Sequence, residues 1–119
     1  MRVELLWFDG CPNHAATRRV VEQVLASRGL DPAMLESIRV DALSVDRVKF
    51  PGSPTIRVNG EDVEPHFRDP GSYSLSCRVY PTAQGLRGRP EIAWVERAID
   101  DVISMAVAPT QNMRSTRHE

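Results

Sequence analysis

Within its first 28 residues the chain commits to one topology. The run Val3-Glu4-Leu5-Leu6-Trp7-Phe8 breaks at Asp9-Gly10, and a helical period takes over across residues 12–28. Ala16, Val20, Val21, Val24 and Leu25 recur at three- and four-residue spacing, opposite Arg18, Arg19, Glu22, Gln23 and Arg28. Gly29 stands where such a helix stops. The alternating segment Ile38-Arg39-Val40-Asp41-Ala42-Leu43 then reads as a half-buried strand, and a helix between two strands brings them parallel by a right-handed crossover. The first junction carries Cys11 followed by Pro12. A cysteine delivered to a first helical turn meets unpaired backbone N–H groups and the positive end of the dipole, which favour thiolate over thiol. Pro12 suits that turn because its missing N–H has no intrahelical partner there. The plainer alternative is a small half-buried residue at a helix start.

Further along, Asp31-Pro32 opens a short turn through Leu35, and Ser44 is placed to cap another through Phe50. Thr55-Ile56-Arg57-Val58 forms a third strand, and Asn59-Gly60 is a strong hairpin signal that returns Glu61-Asp62-Val63 antiparallel. Residues 64–89 carry Pro65, Pro70, Gly71, Pro81, Gly85 and Gly88 and read as a long irregular stretch, functional or mobile. Pro90 starts a second amphipathic helix that buries Ile92, Val95, Ala98, Ile99, Val102 and Ile103. The order βαβ-ββα predicts an α/β sandwich, a mixed four-stranded sheet with helices on its faces. Residues 1–106 form the domain and 107–119 a frayed tail. There is no internal repeat.

The 119 residues make one domain, and 41% apolar with 26% charged residues excludes a disordered chain. A net charge of −1 leaves no electrostatic footprint for nucleic acid or an anionic membrane. The aromatics Trp7, Phe8, Phe50, Phe67, Tyr73, Tyr80 and Trp94 are scattered and form no stacking platform. No apolar run approaches the ~20 residues that span a bilayer. Met-Arg running straight into a strand containing Glu4 is no signal peptide, so a cytoplasmic protein is expected. Two cysteines in a reducing compartment favour reactive or ligand thiols over a structural disulfide.

A strand ending in Asp9-Gly10-Cys11-Pro12-Asn13-His14, with Gly52-Ser53-Pro54-Thr55 opening a later strand, resembles the thioredoxin-fold superfamily over residues 2–106. More narrowly, the chain is similar to small bacterial thioredoxin-like proteins, some labelled by association with organomercurial (alkylmercury) lyases. The resemblance implies that Pro54 is cis beside the reactive thiol and that Ser53 presents its backbone to a thiol substrate. By sequence alone, Pro54 also reads as an ordinary strand-entry proline. The departure from the family lies at His14, where its Cys-x-x-Cys motif has the second thiol. Three residues along a helix puts His14 on the same face as Cys11. There an imidazolium stabilises a thiolate, or a neutral ring takes its proton, although a lone His in a first turn also reads as solvated. Dithiol exchange through that pair is excluded.

Cys77, in Ser74-Leu75-Ser76-Cys77-Arg78-Val79-Tyr80, is the second thiol. The resemblance places its segment at the active-site end, where Cys77 can act as resolving thiol or second ligand, with Arg78 keeping it ionised. The alternative is a structural cysteine under a loop. Asp9 reads either as a proton-handling carboxylate or as the cap of the strand–helix turn.

The function expected is therefore that of a thiol-dependent redox protein using a Cys-x-x-His motif. Cys11, His14 and Cys77 carry thiol–disulfide exchange, and Ser53, Pro54 and Asp9 position a protein or small-molecule thiol or disulfide. No cofactor, nucleic acid or membrane is expected. An alternative is a soft-metal or organomercurial handler, since mercury needs only two thiolates, here Cys11 and Cys77. His66 and His118 lack zinc-ligand spacing. A third reading is a non-catalytic thioredoxin-like interaction module. No phosphate-cradling Gly-rich loop or Ser/His/Asp nucleophile pattern is present.

Overall fold

A computed structural model describes the backbone of residues 1–115 and the side chains of residues 1–106. It is a mixed α/β fold around a four-stranded sheet. The central strand β1 (Val3–Trp7) lies between β2 (Leu35–Arg39), which is parallel to it, and β3 (Thr55–Val58), which is antiparallel. The short strand β4 (Glu61–Asp62) pairs antiparallel with β3 at the other edge. The turn between β3 and β4 has Asn59 at φ 51° and Gly60 at φ 83°, the left-handed pair that a two-residue hairpin requires.

The second strand begins earlier than the alternation at 38–43 suggested. A 3-10 turn at Pro32–Met34, capped by the Asp31 side chain accepting from the Ala33 N–H at 2.9 Å, delivers Leu35 opposite Val3. Asp41 then turns the chain away: its carboxylate accepts from the N–H groups of Leu43 (3.0 Å) and Ser44 (3.1 Å). Asp41, and not Ser44, is the cap. These bonds, the one from Leu43 foremost, hold its pKa below the usual carboxylate value.

Helix α1 (His14–Ser27) begins later than expected, so Pro12 falls outside it and Asn13 is the N-cap, without a side-chain capping bond. Thr17 is buried on its inner face with Val21, Val24 and Leu25, and donates its hydroxyl proton to the Asn13 carbonyl at 2.8 Å. Gly29, at φ 73°, closes the helix as anticipated. Its N–H donates to Ala26 and that of Leu30 to Leu25, the paired bonds of a Schellman ending.

The two faces of the sheet are covered differently. Val3, Leu5, Ile56 and Val58 pack against Val21, Val24 and Leu25 of α1 and against Val95 and Ile99 of the long helix α2 (Ile92–Ser115). Both helices thus lie on one face, which corrects the expectation of helices on both. On the opposite face Leu6, Val40 and Phe50 form a second cluster, roofed by the turns of residues 41–49 with Val45 and Val48. Lys49 sits there at φ 52°, and Arg57 steadies it by donating to the carbonyls of Val48 and Lys49, each at 2.8 Å.

The stretch 64–89 is not wholly irregular. It contains a separate hairpin of β5 (Tyr80–Thr82) and β6 (Gly85–Arg87), missed because Pro81, Gly85 and Gly88 dominate its composition. Ile92, expected inside, is half exposed at the start of α2. Of the anticipated tail, 107–115 continue the α2 backbone, and 116–119, including His118, lie outside the described residues. Among the described residues no helix is long and apolar enough to cross a membrane.

Replacing Leu5 by Ala should cost about 2–5 kcal/mol and Phe50 by Ala about 3–5 kcal/mol in urea unfolding, both with an unchanged m-value if the two clusters melt as one unit. Asp41 has a depressed folded pKa, so its contribution is present above its unfolded pKa and is lost as pH falls through the folded one. Asp41→Asn should therefore flatten the acid limb of the stability curve below about pH 4 and leave its alkaline limb unmoved.

Candidate functional site

Cys11 lies in the turn that joins β1 to α1, two residues before the N-cap Asn13. Gly10 at φ 95° allows the chain to double back, and the Cys11 N–H donates to the Phe8 carbonyl at 3.2 Å. The consequence is a cysteine only 7% exposed, where the sequence suggested an accessible thiol in the first helical turn. The reason is the later helix start, which folds Cys11 back over the end of β1.

His14 opens α1 on the Cys11 side, as i,i+3 spacing requires. Its Nδ1 lies 3.3 Å from the Cys11 carbonyl oxygen, so the contact is to the backbone of the turn. The ring stacks on Trp7, with centroids 4.1 Å apart and planes 5° from parallel. Trp7 is held in turn by its indole N–H donating to Ser37 Oγ on β2 at 2.8 Å. Ser37, Trp7 and His14 thereby brace the Cys11 turn from the sheet. Asp9 does not cap α1. It is exposed and paired with Arg39 Nη1 at 3.0 Å, because β2 ends beside it.

Leu6 pairs with Thr55, so the residues that precede β3 gather at the end of the sheet where the Cys11 turn begins. The Ser53–Pro54 peptide bond there is cis. Cys77 stands opposite Ser53 in an isolated parallel bridge. The Ser53 N–H donates to the Ser76 carbonyl and the Arg78 N–H to the Ser53 carbonyl, both at 2.9 Å. The backbone groups of Ser53, expected to be open to a substrate, are occupied by the chain's own 76–78 segment. Ser53 itself is 1% exposed, and its hydroxyl is buried with no hydrogen-bond partner. Both cysteines are free thiols. Cys77 is exposed, which removes the reading of a structural cysteine under a loop.

Arg78 does not serve Cys77. It points inward, 6% exposed, where Cys77 points outward. Its guanidinium grips Asp62 through two bonds of 2.6 and 2.9 Å, meets Glu64 at 2.9 Å, and donates to Thr55 Oγ1 at 3.0 Å. The cation also lies over the rings of Phe67 (4.9 Å) and Tyr80 (4.3 Å). Desolvation works against its charge, but Asp62, Tyr80 and Glu64 outweigh that and leave its pKa raised. Burial likewise pushes the Tyr80 hydroxyl far above its usual pKa, so it stays a donor, to the Pro54 carbonyl. Gly52, at φ 128°, lets Arg78 approach: a Cβ there would stand 2.8 Å from Arg78 Cβ. Sequence reasoning missed this cluster because Arg78, Asp62 and Glu64 look like solvated charges. The sole signal was alternation, with Arg78 and Tyr80 two apart in a segment that otherwise reads as loop.

Among the described residues no group of three or more His, Cys, Asp or Glu is arranged to hold a metal ion. The chain matches no protein-family model, no curated protein and no solved structure.

Arg78→Met should destabilise the protein by about 3–5 kcal/mol, because Asp62 and Glu64 then keep their charges without the partner. Adding Asp62→Leu and Glu64→Gln to that variant should recover part of the loss in urea titrations. Amide exchange at Ser53 and Arg78 should rise in the single variant ahead of that in the helices.

Proposed function

We propose that the chain is a thioredoxin-like thiol–disulfide protein in which Cys11 exchanges with substrate and Cys77 resolves the product. The observation that carries this reading is the bridge between Ser53 and Cys77. It brings the second thiol to the cis-proline loop, at the sheet end where Cys11 follows β1. His14 takes no thiol's place, so a partner for Cys11 has to come from outside the Cys-x-x-His motif. The orphan hydroxyl of Ser53 adds weight, since a buried unpaired polar group costs about 1–3 kcal/mol and such groups concentrate at working sites.

The chemistry balances in two exchanges. The Cys11 thiolate attacks one sulfur of a substrate disulfide, forming a mixed disulfide and releasing the other sulfur as thiolate. Cys77 then attacks Cys11 Sγ, which frees the second substrate thiol and leaves a Cys11–Cys77 disulfide. The substrate gains two electrons, and an external thiol must return them to the protein. Two thiols also suit a two-coordinate soft cation such as mercuric ion better than zinc, which takes four ligands.

Mild oxidation with one equivalent of a disulfide reagent, followed by digestion and mass spectrometry, should yield the Cys11–Cys77 peptide pair. Cys77→Ser should accumulate the mixed disulfide, and Cys11→Ser should abolish insulin reduction. Intermolecular dimers alone, together with undiminished activity in Cys11→Ser, would sink the proposal. Under native conditions Cys77 should alkylate before Cys11, as their exposures require.

A further inference from the structure

Between α1, the β5–β6 hairpin and the start of α2 lies a cavity of about 490 Å³. Its inner wall is aliphatic: Val20 from α1, Ile56 from β3, and Ile92 and Val95 from α2. Its rim carries Arg87 and Arg89, and among the described residues neither arginine is salt-bridged to a carboxylate. Glu91 also lines it, with its carboxylate accepting from the Ala83 N–H at 3.0 Å.

The two arginines are held in place by their shared neighbour. Gly88 is packed so closely on Asn13 that a Cβ would collide with the Asn13 amide, which pins the 87–89 segment to the N-terminal turn of α1. The hairpin that carries Arg87 pairs with no strand of the four-stranded sheet, so its position rests on that contact, on the Glu91–Ala83 bond and on the buried Tyr80 bonded to the Pro54 carbonyl.

We infer that this cavity binds a small amphipathic anion, an aliphatic body with one carboxylate or phosphate head. The volume falls within the roughly 300–1,000 Å³ of ligand sites. The inner wall offers an apolar body Val20, Ile56, Ile92 and Val95, interrupted by Thr17, Thr82 and Gln84, whereas a planar guanidinium fork matches either head group. Two arginines against the one Glu91 carboxylate, itself engaged by the Ala83 N–H, leave the mouth net positive, which disfavours a cationic ligand and discriminates against a neutral one. The site is separate from the thiols, and the fate of the exchange chemistry does not bear on it.

Calorimetric titration of the full chain at physiological ionic strength tests the assignment, with decanoate, decyl phosphate and decanol as probes below their aggregation limits. At least one anion should bind saturably, one molecule per chain, and decanol about tenfold more weakly or not at all. Arg87→Ala and Arg89→Ala should each weaken the anion by about tenfold. Arg19→Ala, on the outer face of α1, should leave it unchanged. Both arginines are exposed, so these variants should fold. Amide shifts in a two-dimensional nitrogen–proton spectrum should map to residues 82–95 and the inner face of α1. The ratio of the two anion affinities ranks carboxylate against phosphate as the head group the arginines prefer. The inference fails if no probe saturates, if decanol binds as tightly as the anions, or if the two arginine variants bind like the parent.

Discussion

One buried guanidinium holds together the part of the molecule that has least regular structure. Between the ends of β4 and the β5–β6 hairpin the chain forms no further strand or helix, and of its side chains only Val63 joins the main core. Arg78 takes the place of a core there. It ties the edge strand through Asp62, the following loop through Glu64, and the entry to β3 through Thr55, while Phe67 and Tyr80 sandwich its cation. Such a hub is not an efficient source of stability, because each desolvated charge costs several kcal/mol before pairing begins. What it supplies is position: with two carboxylates and a hydroxyl on one planar fork, the 76–78 segment has one place to lie. That place is against Ser53.

The sheet's asymmetry follows from similar economies. One face has two amphipathic helices and needs only aliphatic side chains beneath them. The other is covered by turns over Leu6, Val40 and Phe50, and beyond that cluster its surface is charged. Glu4 sits in the middle of the central strand, 7% exposed, and is tolerated because Arg2 reaches it at 2.8 Å. Its neighbour across the β1–β3 pairing is Arg57, whose fork is spent on the Val48 and Lys49 carbonyls and so secures the turns that roof the second cluster. Side chains on this face do what a crossing helix would do in a three-layer sandwich.

Elements with a strong local signal were legible from sequence. Helix α1 with its Gly29 ending, the Asn59-Gly60 hairpin, strand β3 and the apolar face of α2 all rest on periodicity or on a residue with a special backbone requirement. The position of β2 was not legible, because Leu35 and Val40 are both plausible strand residues and only pairing with Val3 selects the former. Cys11 was found from its junction, but not its burial. A helix start two residues later than Pro12 suggested was enough to fold it inward. The Arg78 cluster was invisible for a different reason: its partners come from β3, β4, β5 and the loop after β4, and an ion pair with residues 14 and 16 positions away leaves no periodic trace.

Burial of one thiol and exposure of the other set the order of events in the proposed exchange. Cys77 meets solvent without any rearrangement, but a bulky disulfide reaches the buried Cys11 only when the structure around it opens. The 76–78 segment is anchored by two backbone bonds to Ser53 and by the buried Arg78 fork. The Cys11 turn is held by one longer backbone bond to Phe8 and by the His14 ring, which Trp7 and Ser37 brace from the sheet. Local opening follows the weaker anchorage. Under the proposed exchange the turn, with the single backbone bond, is the segment that opens, and Cys77 stays beside the proline loop. In that proposed exchange His14, stacked on Trp7 and bonded to the turn's carbonyl, is a positioning residue that needs no contact with the sulfur.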